Sequence, residues 1–159
     1  MTKTREYRSL RDAFSQFATG VTVVTANNDK GQPLGITANS FASVSLEPPL
    51  VSWCIDKKST RFQEFIDAEY FTISVLTVDQ QEISNLFAQR SWDDTVFSDV
   101  EWDKGLNDVP QLPNVSARFH CKTEHQYAGG DHIIIVGAVL EFETDPQAPL
   151  VFFQGEYKS

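Results

Sequence analysis

The sequence predicts a mainly β chain: an antiparallel barrel with a few short peripheral helices. Three observations predict it. β-Branched and aromatic runs of strand length recur at residues 21–26, 34–40, 50–56, 70–76, 115–127, 132–143 and 150–153. Turn residues rather than helices join most of them, which argues against a doubly wound parallel sheet. No GxGxxG follows any of these runs, so the dinucleotide fingerprint of such a sheet is missing as well.

Residues 7–18 carry Leu10, Ala13, Phe14, Phe17 and Ala18 at i, i+3, i+4, i+7 and i+8, one face of a helix that Gly20 would end. The run VTVVTA at 21–26 is a strand, and NNDKGQP at 27–33 is turn chemistry leading into a second strand over 34–40. Residues 45–49 read as a connection stiffened by Pro48 and Pro49, with the next strand over 50–56. Ser59 can cap a short helix whose apolar face is Phe62, Phe65 and Ile66. Beyond the strand at 70–76, Asp79 and Glu82 form a capping-box variant that opens a helix bearing Ile83, Leu86 and Phe87. Residues 90–113 have no period and carry Trp92, Trp102, several Asp and two Pro. They are expected as a long surface loop, a kind of segment that is often functional. Strands over 115–127 and 132–143 flank a turn at Gly129-Gly130, and a short strand at 150–153 completes the pattern.

The 159 residues suit one domain, 1–159, with a sizeable core, and 41% apolar content needs no disulfide or metal staple. A net charge of −9 opposes binding to a nucleic-acid backbone. No basic amphipathic helix, secretory leader or membrane-length apolar run is visible, so no membrane role is expected. Cys54 and Cys121 each lie inside an apolar run and read as separate buried thiols, which suits a reducing, cytoplasmic setting. His120, Cys121 and His125 do not make a metal site, because His120 and Cys121 point to opposite faces of one strand.

Chemistry concentrates in residues 35–61. Thr37, Asn39 and Ser40 offer short donors and acceptors suited to the polar edge of a flat heterocycle. Ser59 and Thr60, with Lys57, Lys58 and Arg61 nearby, sit where a helix N-terminus could meet a phosphate. Together they suggest a flavin site. An exposed strand face and an ordinary helix cap account for the same residues more simply. His132, entering a strand after a glycine turn, could contact a nicotinamide, although a lone turn histidine is more often inert. Asp131 beside it is expected to face the other way. There is no Gly-x-Ser-x-Gly elbow and no cysteine with an activating partner. Read without any likeness, the residues support a β-barrel with a phosphate-bearing ligand as its candidate occupant.

Five stretches, in order and spanning nearly the whole chain, resemble the short-chain flavin reductases, the reductase components of two-component flavin-dependent monooxygenases. They are FATGVTVVT (17–25), GITANSFASVSLEPPLV (35–51), DKKST (56–60), GGDH (129–132) and PLVFFQGEY (149–157). The resemblance implies a split β-barrel that binds FMN or FAD, a homodimer, and hydride transfer from NADH or NADPH. By position, Gly35, Thr37, Ala38, Asn39 and Ser40 would face the isoalloxazine. Asp56, Lys57, Ser59 and Thr60 would hold the ribityl chain and phosphate, with Arg90 adding a phosphate contact. His132 would lie on the nicotinamide side as the catalytic candidate. Two positions depart from the family pattern: Thr60 stands where Ser is common, and Glu156 where Arg is common. Two other roles for the same barrel are oxidase chemistry on a phosphorylated substrate and flavin storage without turnover.

Overall fold

A computed structural model describes residues 2–158. The elements run α1 (Lys3–Phe14), β1 (Thr19–Gly20), β2 (Thr22–Asn27), β3 (Pro33–Ala38), β4 (Ala42–Leu46), β5 (Pro49–Asp56), α2 (Phe62–Asp67), β6 (Tyr70–Val75) and α3 (Gln81–Phe87). They continue with β7 (Asp103–Lys104), β8 (Pro110–Gln111), β9 (Ala117–Gly129), β10 (His132–Thr144), β11 (Val151–Phe153) and β12 (Glu156–Lys158). Seven strands form one antiparallel sheet in the order β3-β2-β6-β9-β10-β5-β4.

This sheet is strongly curled. Three strand spacings separate β5 from β6, about 14 Å on a flat sheet, yet the rings of Trp53 and Phe71 on those strands lie 6.1 Å apart. The same buried cluster takes Val24 and Leu34 from β2 and β3, Ile73 from β6, Cys121 from β9, Ile135 from β10 and Phe65 from α2. The curl nearly brings β3 round to β5. Ser40, two residues past the end of β3, accepts a hydrogen bond from the Cys54 N–H of β5 at 2.9 Å. A side chain, not a ladder, bridges the remaining gap, so the barrel is split along a seam between β3 and β5.

Several expectations need correction. The first helix ends at Phe14, and its apolar stripe is not buried: Tyr7 is 63%, Leu10 50% and Phe14 70% exposed. Helical spacing defines a stripe but does not say what covers it. Residues 45–49 are not merely a connection, since Ala42–Leu46 is a strand paired with β5, and Pro49 opens β5 at a position where proline is tolerated. Ser59 does not cap α2; its Oγ accepts from the Arg61 N–H (3.2 Å) in the preceding turn. Thr77, not Asp79, forms the capping box, with Gln80, at a short 3₁₀ turn leading into α3.

The largest correction concerns 90–113. This segment is not a loop lying over the surface. Val96, Phe97 and Leu112 join Val21, Val23, Leu76, Phe87, Val115 and Leu150 in a second buried cluster. Its structure is two short 3₁₀ turns and the β7–β8 ribbon, none long enough to impose a period. Two further strands also went unread. β1 pairs with β11, and β12 returns along β11 through a turn at Gln154-Gly155, both with positive φ. No helix among the described residues is long and apolar enough to cross a membrane.

Candidate functional site

The seam opens into a groove. One part, a cavity of about 480 Å³, is lined by Thr37, Ala38, Asn39 and Ser40, by Cys54 and Asp56 of β5, and by Gly129 and His132 at the β9–β10 turn. A larger cavity of about 740 Å³ adjoins it, sharing Ile36, Thr37, Asn39 and Asp56, and extends to Ser59, Arg90, Ser84, Tyr157 and Arg11.

Strand alternation decides which backbone groups face this groove. The Leu76 N–H bonds the Val21 carbonyl, so odd-numbered residues at the start of β2 bond toward β6 and even-numbered ones toward β3. Gly35 and Thr37, opposite Thr25 and Val23, therefore turn their N–H and C=O to the uncovered edge of β3. The Gly35 carbonyl is used there by Arg61 (2.9 Å). Across the seam, the Lys57 N–H bonds the Asp131 carbonyl toward β10, which turns Cys54 and Asp56 the other way, into the seam. Two strand edges thus present backbone groups, at Thr37 and Asp56, to one groove.

The predicted residues divide accordingly. Thr37, Ala38, Asn39, Ser40, Asp56, Ser59, Arg90 and His132 line the connected cavities. Thr37 does so through its backbone, because its hydroxyl donates to the Ser84 carbonyl (2.6 Å). One oxygen of Asp56 accepts the Lys58 N–H (2.8 Å) and closes the turn that carries Ser59. Ser59 spends a lone pair on Arg61 and keeps its hydroxyl proton. Three predicted residues are not brought to the groove. Gly35 is buried against Phe87, whose ring would lie 2.6 Å from an added Cβ; the glycine lets α3 approach β3. Lys57 is exposed outside both cavities. Thr60 donates its hydroxyl to the Arg90 carbonyl (3.1 Å) and so holds Arg90 in place from behind.

Arg61, read from the sequence as one of the charges beside a phosphate, has its guanidinium Nη1 and Nη2 engaged by backbone carbonyls. It is buried, donates to the carbonyls of Gly35, Phe87 and Gln89, and lies 5.1 Å over the Trp92 ring. Burial pulls its pKa below the ordinary guanidinium value. Asp131 and His132 do not face apart. Asp131 sits in the hairpin turn, not the strand, and its Oδ1 lies 2.7 Å from His132 Nδ1. That hydrogen bond, then the imidazole's charge, holds the Asp131 carboxyl below its usual range. With Nδ1–H donated to Asp131, Nε2 is the nitrogen His132 can offer the groove.

A family model described as flavin reductase like domain matches residues 14–159. The chain belongs to the flavin reductase family. It is 44% identical over 157 residues to the reductase component of the flavin-dependent trigonelline monooxygenase of Acinetobacter baylyi, covering 99% of this chain and 50% of that protein. It is 44% identical over 150 residues to an FMN reductase (NADH) of Agrobacterium fabrum, covering 94% of this chain and 84% of that one. Among solved structures, it matches the NADH:FAD oxidoreductase of Streptomyces globisporus, in complex with NAD and FAD fragments. The TM-score is 0.91 at 35% identity, over 100% of this chain and 95% of that one. The chain spans about half the length of some of these relatives, such as a probable flavin reductase of Rhizobium meliloti, of which it covers 48%.

Seen as a family member, the chain also has groove residues that sequence reasoning missed. Ser84 and Tyr157 meet at 2.7 Å between their hydroxyl oxygens and join α3 to β12. The Gln154-Gly155 dipeptide was the signal that could have revealed β12 and hence Tyr157. Arg11 had no signal, since nothing in a helical stripe tells which polar residue will face a distant cavity.

Proposed function

We propose that the chain is an NAD(P)H-dependent flavin reductase that supplies reduced FMN or FAD to a partner monooxygenase. The observation that carries this reading is the split seam, where edge backbone groups at Thr37 and Asp56, the Asn39 amide and His132 surround one groove. A flavin fits these residues: a flat ring with polar atoms along one rim needs short, fixed donors and acceptors. The small Ala38 allows close approach. Ser59 and Arg90 lie in the adjoining space, where a phosphate would follow the ring. When bound, the flavin supplies hydride chemistry, accepting a hydride from a reduced nicotinamide.

The chain's own residues supply position. Thr37, Asn39 and Asp56 fix the ring rim, and rigid placement of two reacting rings can account for a large share of a rate enhancement. Ser59 donates its free hydroxyl proton and Arg90 its guanidinium protons to the phosphate. His132, oriented by Asp131, offers Nε2 for a hydrogen bond with the nicotinamide carboxamide. No nucleophile is required of the protein. The unpaired cysteines Cys54 and Cys121 suit a cytoplasmic location, and residues 1–159 act as one flavin-binding domain.

A homodimer belongs to the same reading. Tyr7, Leu10, Phe14 and Phe17, and on the strands Leu46 (95% exposed) and Phe142 (68%), are large apolar side chains open to solvent. A second copy would cover them. Sedimentation at micromolar concentration tests it, and a monomer with flavin bound refutes it. For the activity, purified protein should oxidise NADH or NADPH only when flavin is added. Flavin binding with no turnover above the rate in free solution would refute the reductase reading and leave a binding module.

A further inference from the structure

The last rung of the β2–β3 ladder lies at the seam. Thr22 pairs with Ala38 there, and the next two residues, Asn39 and Ser40, leave the ladder to cross toward β5. Terminal rungs fray most easily. A side chain also holds this one: the Thr22 hydroxyl donates to the Ala38 carbonyl at 2.7 Å. Thr22 is buried and lines neither cavity. Its hydrogen bond fixes a direction. The Ala38–Asn39 peptide is trans, so its C=O and N–H point opposite ways. With the carbonyl turned to Thr22 on β2, the Asn39 N–H turns away from β2, to the uncovered edge of β3. It finds no acceptor among the described residues. Asn39 is exposed and lines both cavities, and the N–H and C=O of Thr37 leave the strand on the same edge.

We infer that Thr22 is a positioning residue for flavin reduction: through the Ala38 carbonyl it aims the Asn39 N–H at the ring in the groove. The inference deepens the flavin-reductase reading and rests on it. Thr22 itself touches no ligand and acts only through the peptide it holds. A preorganised N–H counts most where negative charge grows on its partner during the reaction. Reduction adds electron density to the ring. Loss of the Thr22 hydroxyl should therefore fall on the reduction step more than on binding of the oxidised ring.

Thr22→Val removes the hydroxyl, keeps the β-branched shape and suits a strand. In anaerobic stopped flow at saturating NADH, reduction of bound FMN should slow by about three- to tenfold, the size of one neutral hydrogen bond. FMN affinity should change by less than about twofold. Thr22→Ser, which restores the hydroxyl, should return the rate toward that of the wild type. Thr25→Val is the control. Thr25 is equally buried on the same strand, but its hydroxyl donates to the Pro110 carbonyl (2.5 Å). This control should lose stability in chemical denaturation and still reduce flavin at the wild-type rate per folded molecule. A merely structural Thr22 would behave as Thr25 does. Wild-type reduction in Thr22→Val, or no recovery in Thr22→Ser, overturns the inference. A measurement on the wild type needs no variant to fold: in NMR, FMN should shift the Asn39 amide resonance and protect that amide from exchange. Bound FMN that leaves the amide unchanged overturns the inference alone. Failure of FMN to bind at all overturns the flavin reading and this inference with it.

Discussion

Two histidines at the two ends of the long β9–β10 ribbon show how differently one residue type is used. His120 is buried, and both ring nitrogens are occupied: Nδ1 lies 3.1 Å from the Thr72 hydroxyl and Nε2 3.2 Å from Glu143. Arg118 bonds the other Glu143 oxygen (2.7 Å) and the Leu112 carbonyl, so the network ties the 90–113 segment to the barrel. His132 has one nitrogen on Asp131 and the other open to the groove, with its side chain 41% exposed. A closed set of partners makes a structural residue, whereas an incomplete set facing a cavity leaves bonding capacity for a ligand.

Arg61 and Arg90 repeat the contrast at the same groove, and Arg61 gives the largest expected effect. Its removal leaves the buried carbonyls of Gly35 and Phe87, and the half-covered carbonyl of Gln89, without their donor. Arg61→Ala should destabilise the fold by about 2–6 kcal/mol, because two buried carbonyls each lose a charged donor at about 1–3 kcal/mol. Chemical denaturation measures it. Arg90, exposed apart from its backbone carbonyl, should tolerate the same change with little loss of stability. Equal losses at the two positions would break the distinction.

The histidines come next. His120→Ala should cost about 1–3 kcal/mol of stability, the penalty of unpaired buried groups, with flavin reduction per folded molecule little changed. His132→Ala should do the reverse. Its melting temperature should stay near that of the wild type, while flavin reduction in anaerobic stopped flow slows by about five- to 150-fold, equivalent to roughly 1–3 kcal/mol. Unchanged reduction in a well-folded His132→Ala protein removes this residue from the site.

These pairs also show where sequence reading reached its limit. The strands were legible because β-branched runs and turn residues repeat locally, and the seam residues at 37–40 and 56–59 were legible as an ordered motif. Arg61 was misread because its partners are carbonyls at 35, 87 and 89, and no composition rule identifies a backbone partner across that distance. Residues 90–113 were misread because their buried side chains sit on 3₁₀ turns and two-residue strands, too short for any period to register. Gly35 belonged to the motif yet serves the packing of Phe87, so a motif can mix ligand contacts with the packing that supports them.

The two cysteines give the smallest effect and extend the contrast to reactivity. Cys54 lines the groove floor, part-buried, with Ser40 bonded to its backbone. Burial raises its pKa, and a hydrogen bond with Ser40 partly offsets this. Cys121 lies in the core, where burial pushes its thiol from the ordinary 9.0 up to about 12. Because the thiolate is the reactive form, access and pKa both favour Cys54. A thiol reagent at pH 8 should label Cys54 slowly and leave Cys121 untouched until the protein unfolds, and bound FMN should slow the labelling of Cys54. The raised pKa has a consequence for stability with a definite sign. Below pH 9.0 the Cys121 thiol is protonated whether folded or not, and it contributes no pH dependence. Between 9.0 and about 12 the unfolded chain loses this proton and the folded chain keeps it, so stability falls as pH rises. Cys121→Ala should flatten the alkaline part of the stability profile, while Cys54→Ala should change it less. Labelling of Cys121 in the native state, or no protection of Cys54 by FMN, would show that the groove floor and the core differ less in solution than their burial indicates.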